Sequence, residues 1–258
     1  MKLDSFYHSV DLFRKEKIVY AQFTKPHRLL STSRLNGGTQ EGLDYLINHQ
    51  CCEPRQHSGT DLFEVAVQDP SRYMQRITQK AGIDSQQVAI MSTAANMNNT
   101  AIERASYNGL EVVAVCTAGV GSNAGRAGDP ASYQQTAAGI ESLGTPAPQA
   151  GTIISMLFIN QELSPGALLV AATVATEAKS AVLQELSAPS CYSESIATGT
   201  GTDQIGIAAQ LGTEVCHNDA NKHCKLGELI GLALRGALQQ ALNLQSGMTA
   251  DSRRSSLL

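Results

Sequence analysis

The sequence predicts one α/β or α+β domain, in which a mixed β-sheet is flanked by helices. Two observations carry this expectation. The stretches 110–117 (LEVVAVCT) and 151–160 (GTIISMLFIN) are almost wholly apolar, as strands covered on both faces are. Strand-like and helix-like patterns also interleave with no internal repeat and no linker-like break. The domain is expected to span 1–245, with 246–258 as a flexible C-terminal tail.

The elements follow in order. Residues 17–24 (KIVYAQFT) and 28–33 (RLLSTS) read as strands split by the turn Lys25-Pro26-His27. The turn Asn36-Gly37-Gly38 requires positive φ. Residues 41–49 read as a short helix, 51–59 as a loop, and the alternation over 61–67 as a half-buried strand. Asp69-Pro70-Ser71 caps a helix that runs to Ala81, with Gly82 as its stop. A strand is expected over 88–93 and a helix over 99–107, closed by Asn108-Gly109. Residues 118–148 are rich in Gly, Ala, Ser and Pro, and that length points to a functional loop or lid. Ser164-Pro165 opens a helix reaching Leu186, whose stripe Leu168, Ala172, Thr176, Lys179, Leu183 and Leu186 is expected to face the core. A Gly/Thr-rich turn leads into a strand over 204–209, and 226–244 is an amphipathic helix.

Composition excludes several classes. Of 258 residues, 42% are hydrophobic and 16% charged, enough apolar material for a sizeable core. A net charge of −4, no Trp and a 5% aromatic share provide neither a basic footprint nor a stacking platform for nucleic acid. No uninterrupted apolar run reaches the length of a membrane span, and the first residues contain no signal-peptide core. A cytoplasmic protein with reduced cysteines and no membrane partner is therefore expected. Its oligomeric state is left open, a homo-oligomer included.

The chemistry concentrates in glycine-rich turns beside strands, where α/β proteins place ligands. These are Asn36-Gly37-Gly38, the stretch 119–129 with Asn123, Arg126 and Asp129, and Thr198-Gly199-Thr200-Gly201-Thr202-Asp203. The last sets three hydroxyls, two glycines and a carboxylate within six residues. It reads either as a nest for an anion or carbonyl, or as a bulge in which Asp203 ties its own backbone. Lys179 on an apolar stripe needs a partner. Glu177 lies about 200° around the helix from it, so Asp203 or a neighbouring turn is the better candidate. Cys216-His217 and His223-Cys224 depart from zinc-ligand spacings, so no metal site is expected. His223, at the mouth of the last helix, is a candidate acid.

Taken in order, these stretches resemble the adenosylcobinamide amidohydrolase family. The match is carried by Leu35-Asn36-Gly37-Gly38, Asn48-His49-Gln50, Thr117-Ala118-Gly119, Asn123-Ala124, Ala127-Gly128-Asp129-Pro130 and Gly151-Thr152-Ile153. It continues through Thr176-Glu177-Ala178-Lys179, the turn from Thr198 to Asp203, and His223 with Lys225-Leu226-Gly227-Glu228. One departure is Ile154, where the family usually has Asn.

The resemblance implies hydrolysis of the amide joining aminopropanol to the corrin ring of adenosylcobinamide, giving adenosylcobyric acid in corrinoid salvage. The corrinoid is then the substrate and the small-molecule partner, and no cofactor is required. With no Gly-x-Ser-x-Gly elbow in the sequence, an activated water is the expected nucleophile, with Glu177 or Asp203 as base. The 198–202 backbone and Asn36 would hold the oxyanion, and His223 or Lys179 would supply the proton. The covalent alternative is Thr200 or Thr202 activated by Lys179. Substrate contacts are expected from Asn36, Gly37, Gly38, Asn123, Arg126, Asp129, Thr198, Thr200, Gly201 and Thr202. A corrinoid-binding module without hydrolysis is the rival reading, suggested by Ile154.

Overall fold

The computed structural model describes residues 1–52, 69–144 and 151–249. Two mixed sheets lie face to face. In chain order the first contains β1 (Lys2–Phe6), β2 (Val10–Lys15), β3 (Ile18–Phe23), β6 (Tyr45–Gln50) and β7 (Val88–Thr93), arranged β1-β2-β3-β6-β7 with only β6 and β7 parallel. The second contains β4 (His27–Ser31), β5 (Gly38–Glu41), β8 (Ala101–Tyr107), β9 (Leu110–Ala118), β13 (Ile153–Ile159) and β16 (Gln204–Gln210). Its order is β5-β4-β16-β13-β9-β8, with only β13 and β16 parallel.

The pleat divides the core. On β13, Ile154, Met156 and Phe158 meet Phe6, Leu12, Leu46 and Met91 in the layer between the sheets. Ile153, Leu157 and Ile159 face the other way, against α2 (Pro165–Glu185) and α3 (Lys225–Ser246). On the far side of the first sheet, Tyr73 and Ile77 of α1 (Pro70–Ala81) pack on Ile47 and Ile90. The order of layers is helix, sheet, sheet, helices, because each sheet has two apolar faces to cover.

Three expectations require correction. Residues 41–49 are not helical: β5 and β6 occupy this stretch, and every residue from Leu46 to Gln50 is buried, a demand that no one-sided helix meets. Residues 101–107 form β8 rather than a helix, hairpinned to β9 through Asn108 (φ 46°) and Gly109 (φ 83°). Asn-Gly with two positive φ values matches the twist of antiparallel strands. The core stripe of α2 is rotated from the expected one. Leu168, Ala171, Val174, Ala175, Ala178, Val182 and Leu183 are buried, whereas Thr176 is exposed and Lys179 sits at the stripe's border.

The hairpin β1–β2 went unpredicted. The strand expected over 61–67 lies outside the described residues, as do 53–59 of the expected loop. The stretch 118–144 contains β10 (Ala124–Gly125) and an exposed hairpin of β11 (Tyr133–Thr136) with β12 (Gly139–Ser142). By length and composition α2 is, among the described residues, the one helix apolar enough to cross a bilayer. Here its apolar face is part of the core. The last helix runs to Ser246, two residues beyond the expected end at 244, and is closed by Gly247 (φ 66°); 250–258 lie outside the described residues.

Candidate active site

Two of the three glycine-rich turns converge where β13 and β16 begin. β10 pairs with β15 (Gly199–Thr200), so the 119–129 stretch and the 198–203 turn are joined backbone to backbone. Ala127 N–H donates to Thr198 Oγ1 (3.0 Å), and Thr198 N–H donates to the Gly125 carbonyl (2.9 Å). The third turn lies at the same end of the second sheet, with Gly38 paired to Ser31 beside the start of β16, but does not line the cleft. Asn36 (φ 53°) gives its side-chain N–H to the Val88 carbonyl (2.8 Å), a tie to the first sheet. At Gly37 a Cβ would stand 1.9 Å from the Ser33 carbonyl oxygen, and Gly38 opens β5. Glycine leaves room for the backbone at 37 and supplies a positive φ (71°) at 38.

At the centre Lys179 Nζ donates to Asp203 Oδ2 (2.5 Å), with both side chains about one-sixth exposed. Asp203 Oδ2 also accepts from Thr200 N–H (3.0 Å). Its Oδ1 accepts from Ile153 N–H (3.0 Å) and from the Thr200 hydroxyl (2.6 Å). These four donors fill the lone-pair positions that a carboxylate offers. Asp203 thus locks α2, β13 and the turn together. Gly199 is required by the pair, since a Cβ would lie 2.4 Å from Asp203 Oδ2 and 2.8 Å from Lys179 Nζ.

Lys179 and Asp203 line a cleft of about 170 Å³ with Thr32, Ile153, Ser155, Ala175, Thr176, Gln204 and Ile205. Its walls come from the ends of β4, β13 and β16 and from one side of α2. Three polar liners escaped the sequence reading. Thr32 follows β4 directly and exchanges hydrogen bonds with Ile205. The side-chain oxygen of Gln204 accepts from Ser92 N–H (3.2 Å). Ser155 is the lone hydroxyl in an otherwise apolar helix-facing row, and this mismatch was legible in GTIISMLFIN.

Beside the cleft lies a second polar cluster. Thr152 and Thr202 hydroxyls are 2.6 Å apart, and Thr202 Oγ1 donates to the Gly151 carbonyl (3.1 Å). Asn123 Nδ2 donates to the same carbonyl (2.7 Å), while Tyr192 O–H donates to Asn123 Oδ1 (2.7 Å) and so fixes the amide's orientation. Gly201 N–H donates to the Asn123 carbonyl (3.3 Å). Asp129 accepts from Ser190 Oγ (2.6 Å) and Arg126 N–H (2.7 Å). The serine hydroxyls of Ser190 and Ser193, then the Arg126 N–H, draw its carboxyl below the usual range. The Arg126 guanidinium donates to the Ile196 carbonyl (3.1 Å).

The remaining candidates are not in the cleft lining. Glu177 pairs with Lys222, both largely exposed. His223 is exposed, and its backbone N–H donates to Asn221 Oδ1 (3.0 Å). His217 bonds Gln161 (2.7 Å), and Cys224, at the N-cap of α3, turns its thiol to the Asn221 carbonyl (3.0 Å) rather than to the helix's N–H groups. Among the described residues no three His, Cys, Asp or Glu side chains converge on a common point. Cys116 is fully buried, which pushes its thiol up to about 12.

The family model described as adenosylcobinamide amidohydrolase matches residues 3–250. The chain belongs to the adenosylcobinamide amidohydrolase family. An uncharacterised protein of Methanocaldococcus jannaschii, MJ1613, is 32% identical over 244 residues, covering 91% of this chain and 90% of its own. Two solved structures are more distant. The PH0078 protein from Pyrococcus horikoshii OT3 shares 11% identity at a TM-score of 0.40, with 91% of this chain and 83% of that one covered. A Burkholderia sp. beta-aminopeptidase shares 12% at 0.41, with 95% and 88% covered.

Proposed function

We propose that this chain hydrolyses the amide joining aminopropanol to the corrin ring of adenosylcobinamide, releasing adenosylcobyric acid. One observation carries the reading: three stretches of the family resemblance, 151–153, 176–179 and 198–203, meet through the single carboxylate of Asp203 at one cleft. A space of about 170 Å³ is smaller than a typical small-molecule pocket. It admits the linear amide arm and leaves the macrocycle outside. The exposed β11–β12 hairpin, which follows the turn tied to Thr198, is the candidate cover for the ring.

In this reading Lys179 directs a remaining N–H at the substrate carbonyl, where negative charge develops during attack. Asp203 positions Lys179 and takes no proton itself. The rival reading of a binding module drew on Ile154. That side chain faces the layer between the sheets, away from the cleft, so it gives the rival no support.

The test is incubation of the purified chain with adenosylcobinamide and mass-spectrometric detection of adenosylcobyric acid and aminopropanol. Lys179→Met should lower turnover on the order of 10²-fold, the effect of removing one oxyanion donor. Corrinoid that binds but releases no aminopropanol overturns the proposal.

A further inference from the structure

We infer that this chain cuts its own Gly151–Thr152 peptide bond and so exposes Thr152 as a new N-terminal residue. The observation is the surroundings of one carbonyl. The Gly151 oxygen accepts two side-chain hydrogen bonds, from Asn123 Nδ2 (2.7 Å) and from the Thr202 hydroxyl (3.1 Å). A backbone carbonyl at a strand entry normally pairs with backbone or water. Two converging side-chain donors instead form the arrangement that stabilises a carbonyl oxygen as it becomes an oxyanion. The amide that supplies the first donor is itself held by Tyr192.

The candidate nucleophile is joined to the same hydrogen-bond cluster. The hydroxyl of the next residue, Thr152, donates to Thr202 Oγ1 at 2.6 Å, since the Thr202 proton is engaged by the Gly151 carbonyl. The group that would receive the Thr152 proton is therefore also the group that polarises the bond to be attacked. Gly151 is sterically enforced: a Cβ there would stand 2.9 Å from the Gly119 carbonyl oxygen and 3.0 Å from Asn123 Cβ. On the other side of the bond, Thr152 is anchored by Gly119 N–H on its carbonyl (3.1 Å) and Ile153 by Asp203.

The chemistry balances with water as the only co-reactant. Thr152 Oγ adds to the Gly151 carbonyl carbon while its proton passes to Thr202 Oγ1 and Thr202 hands its own proton to the carbonyl oxygen, giving a neutral tetrahedral adduct whose oxygen stays hydrogen-bonded to Asn123 Nδ2; the same hydroxyl then relays that proton back toward the nitrogen. The Gly151 C–Thr152 N bond then breaks, the nitrogen takes up the relayed proton, and a Gly151–Thr152 ester remains. Water hydrolyses the ester, giving a Gly151 carboxylate and restoring the Thr152 hydroxyl beside a free α-amine. An N-terminal threonine supplies nucleophile and base on one residue, next to Ile153 in the cleft wall. In that last respect the inference rests on the hydrolase reading and names its nucleophile; the self-cleavage stands without it.

The experiment follows the purified 258-residue chain by intact mass and N-terminal sequencing, with no corrinoid present. Support is conversion of the 27.3 kDa chain into two fragments, one ending at Gly151 and the other starting Thr-Ile-Ile-Ser. Thr152→Ser should still cut, Thr152→Ala should not, and Asn123→Ala should cut on the order of 10²-fold more slowly. Circular dichroism identifies variants that remain folded. The inference is overturned if the folded wild-type chain stays whole on prolonged incubation, or if Thr152→Ala is cut at the same bond. Corrinoid hydrolysis by a chain that stays whole would discard self-cleavage and leave the proposed function standing.

Discussion

Replacing Asp203 by Ala removes the acceptor of four hydrogen bonds and leaves the Lys179 ammonium, 16% exposed, without its counter-charge. Breaking a buried ion pair from one side costs about 3–5 kcal/mol. The residual exposure of both partners admits some water, so the lower end applies, about 3 kcal/mol. In a chain of this length each kcal/mol moves the melting temperature by about 2–4 °C, so a fall of roughly 6–12 °C follows. Lys179→Met alone leaves Asp203 with three neutral donors, and should cost only about 1 kcal/mol. Because the orphaned ammonium drives most of the Asp203→Ala penalty, the double variant should be more stable than that single one. Urea unfolding of the four proteins gives the coupling energy, expected above about 1 kcal/mol. Additive single effects, or an Asp203→Ala chain within 1 kcal/mol of wild type, would refute the role of Asp203 as the junction of α2, β13 and the turn.

Two more perturbations follow from the geometry. Gly199→Ala forces a Cβ against Asp203 Oδ2 and Lys179 Nζ. It should lower melting by several degrees and amide turnover at least tenfold, readable by calorimetry and product release, while a silent substitution would mean that the pair does not need this approach. Burial holds His27 down to about 4; burial first, then Lys17 and Lys80, hold His49 down to about 3. Both histidines fold neutral, so unfolding takes up protons below the ordinary pKa near 6.5. Stability should be full above about pH 6.5 and fall as pH drops toward 4, by up to about 3 kcal/mol from His27 alone. Urea midpoints between pH 7.5 and 5 check the sign, and His27→Gln should flatten the slope.

Local signals in the sequence were read correctly where local chemistry decides structure. Asp69 caps the first helix by accepting from Arg72 N–H (3.0 Å), and Gly82 ends it at φ 75°. Asn108-Gly109 reads equally as a helix stop and as a hairpin turn, and the structure makes it the turn of the β8–β9 hairpin. Residues 45–50 could not be read locally, because their burial on both faces depends on a parallel neighbour, Val88–Thr93, far along the chain. At the site, helical geometry is enough to reject Glu177 as the partner of Lys179, which leaves Asp203 or a neighbouring turn; the structure pairs it with Asp203. The actual partner of Glu177, Lys222, lies 45 residues away and left no local trace. Tyr192, which orients Asn123, sits in a loop with no distinguishing pattern.

The turn of hydroxyls and glycines at 198–203 looks in sequence like a cradle for a ligand, yet its polar groups are engaged by the protein. Thr200 serves Asp203, Thr202 serves Gly151 and Thr152, and Thr198 serves Ala127. Of its two sequence readings, the hydrogen bonds match the bulge in which Asp203 ties its own backbone, through Thr200 N–H, and the same carboxylate holds Lys179 at the cleft. The alternation of β13 completes the division. Ile153 and Ser155 form cleft wall, whereas Ile154 points between the sheets, paired in register with Thr117. Thr117 Oγ1 accepts from Asn48 Nδ2 (2.8 Å), and Asn48 Oδ1, fully buried, has no hydrogen-bond partner among the described residues. An amide at 154 would thus enter a layer that already contains an unsatisfied carbonyl oxygen. Residue 154 therefore belongs to the layer between the two sheets, on the opposite face of β13 from the cleft.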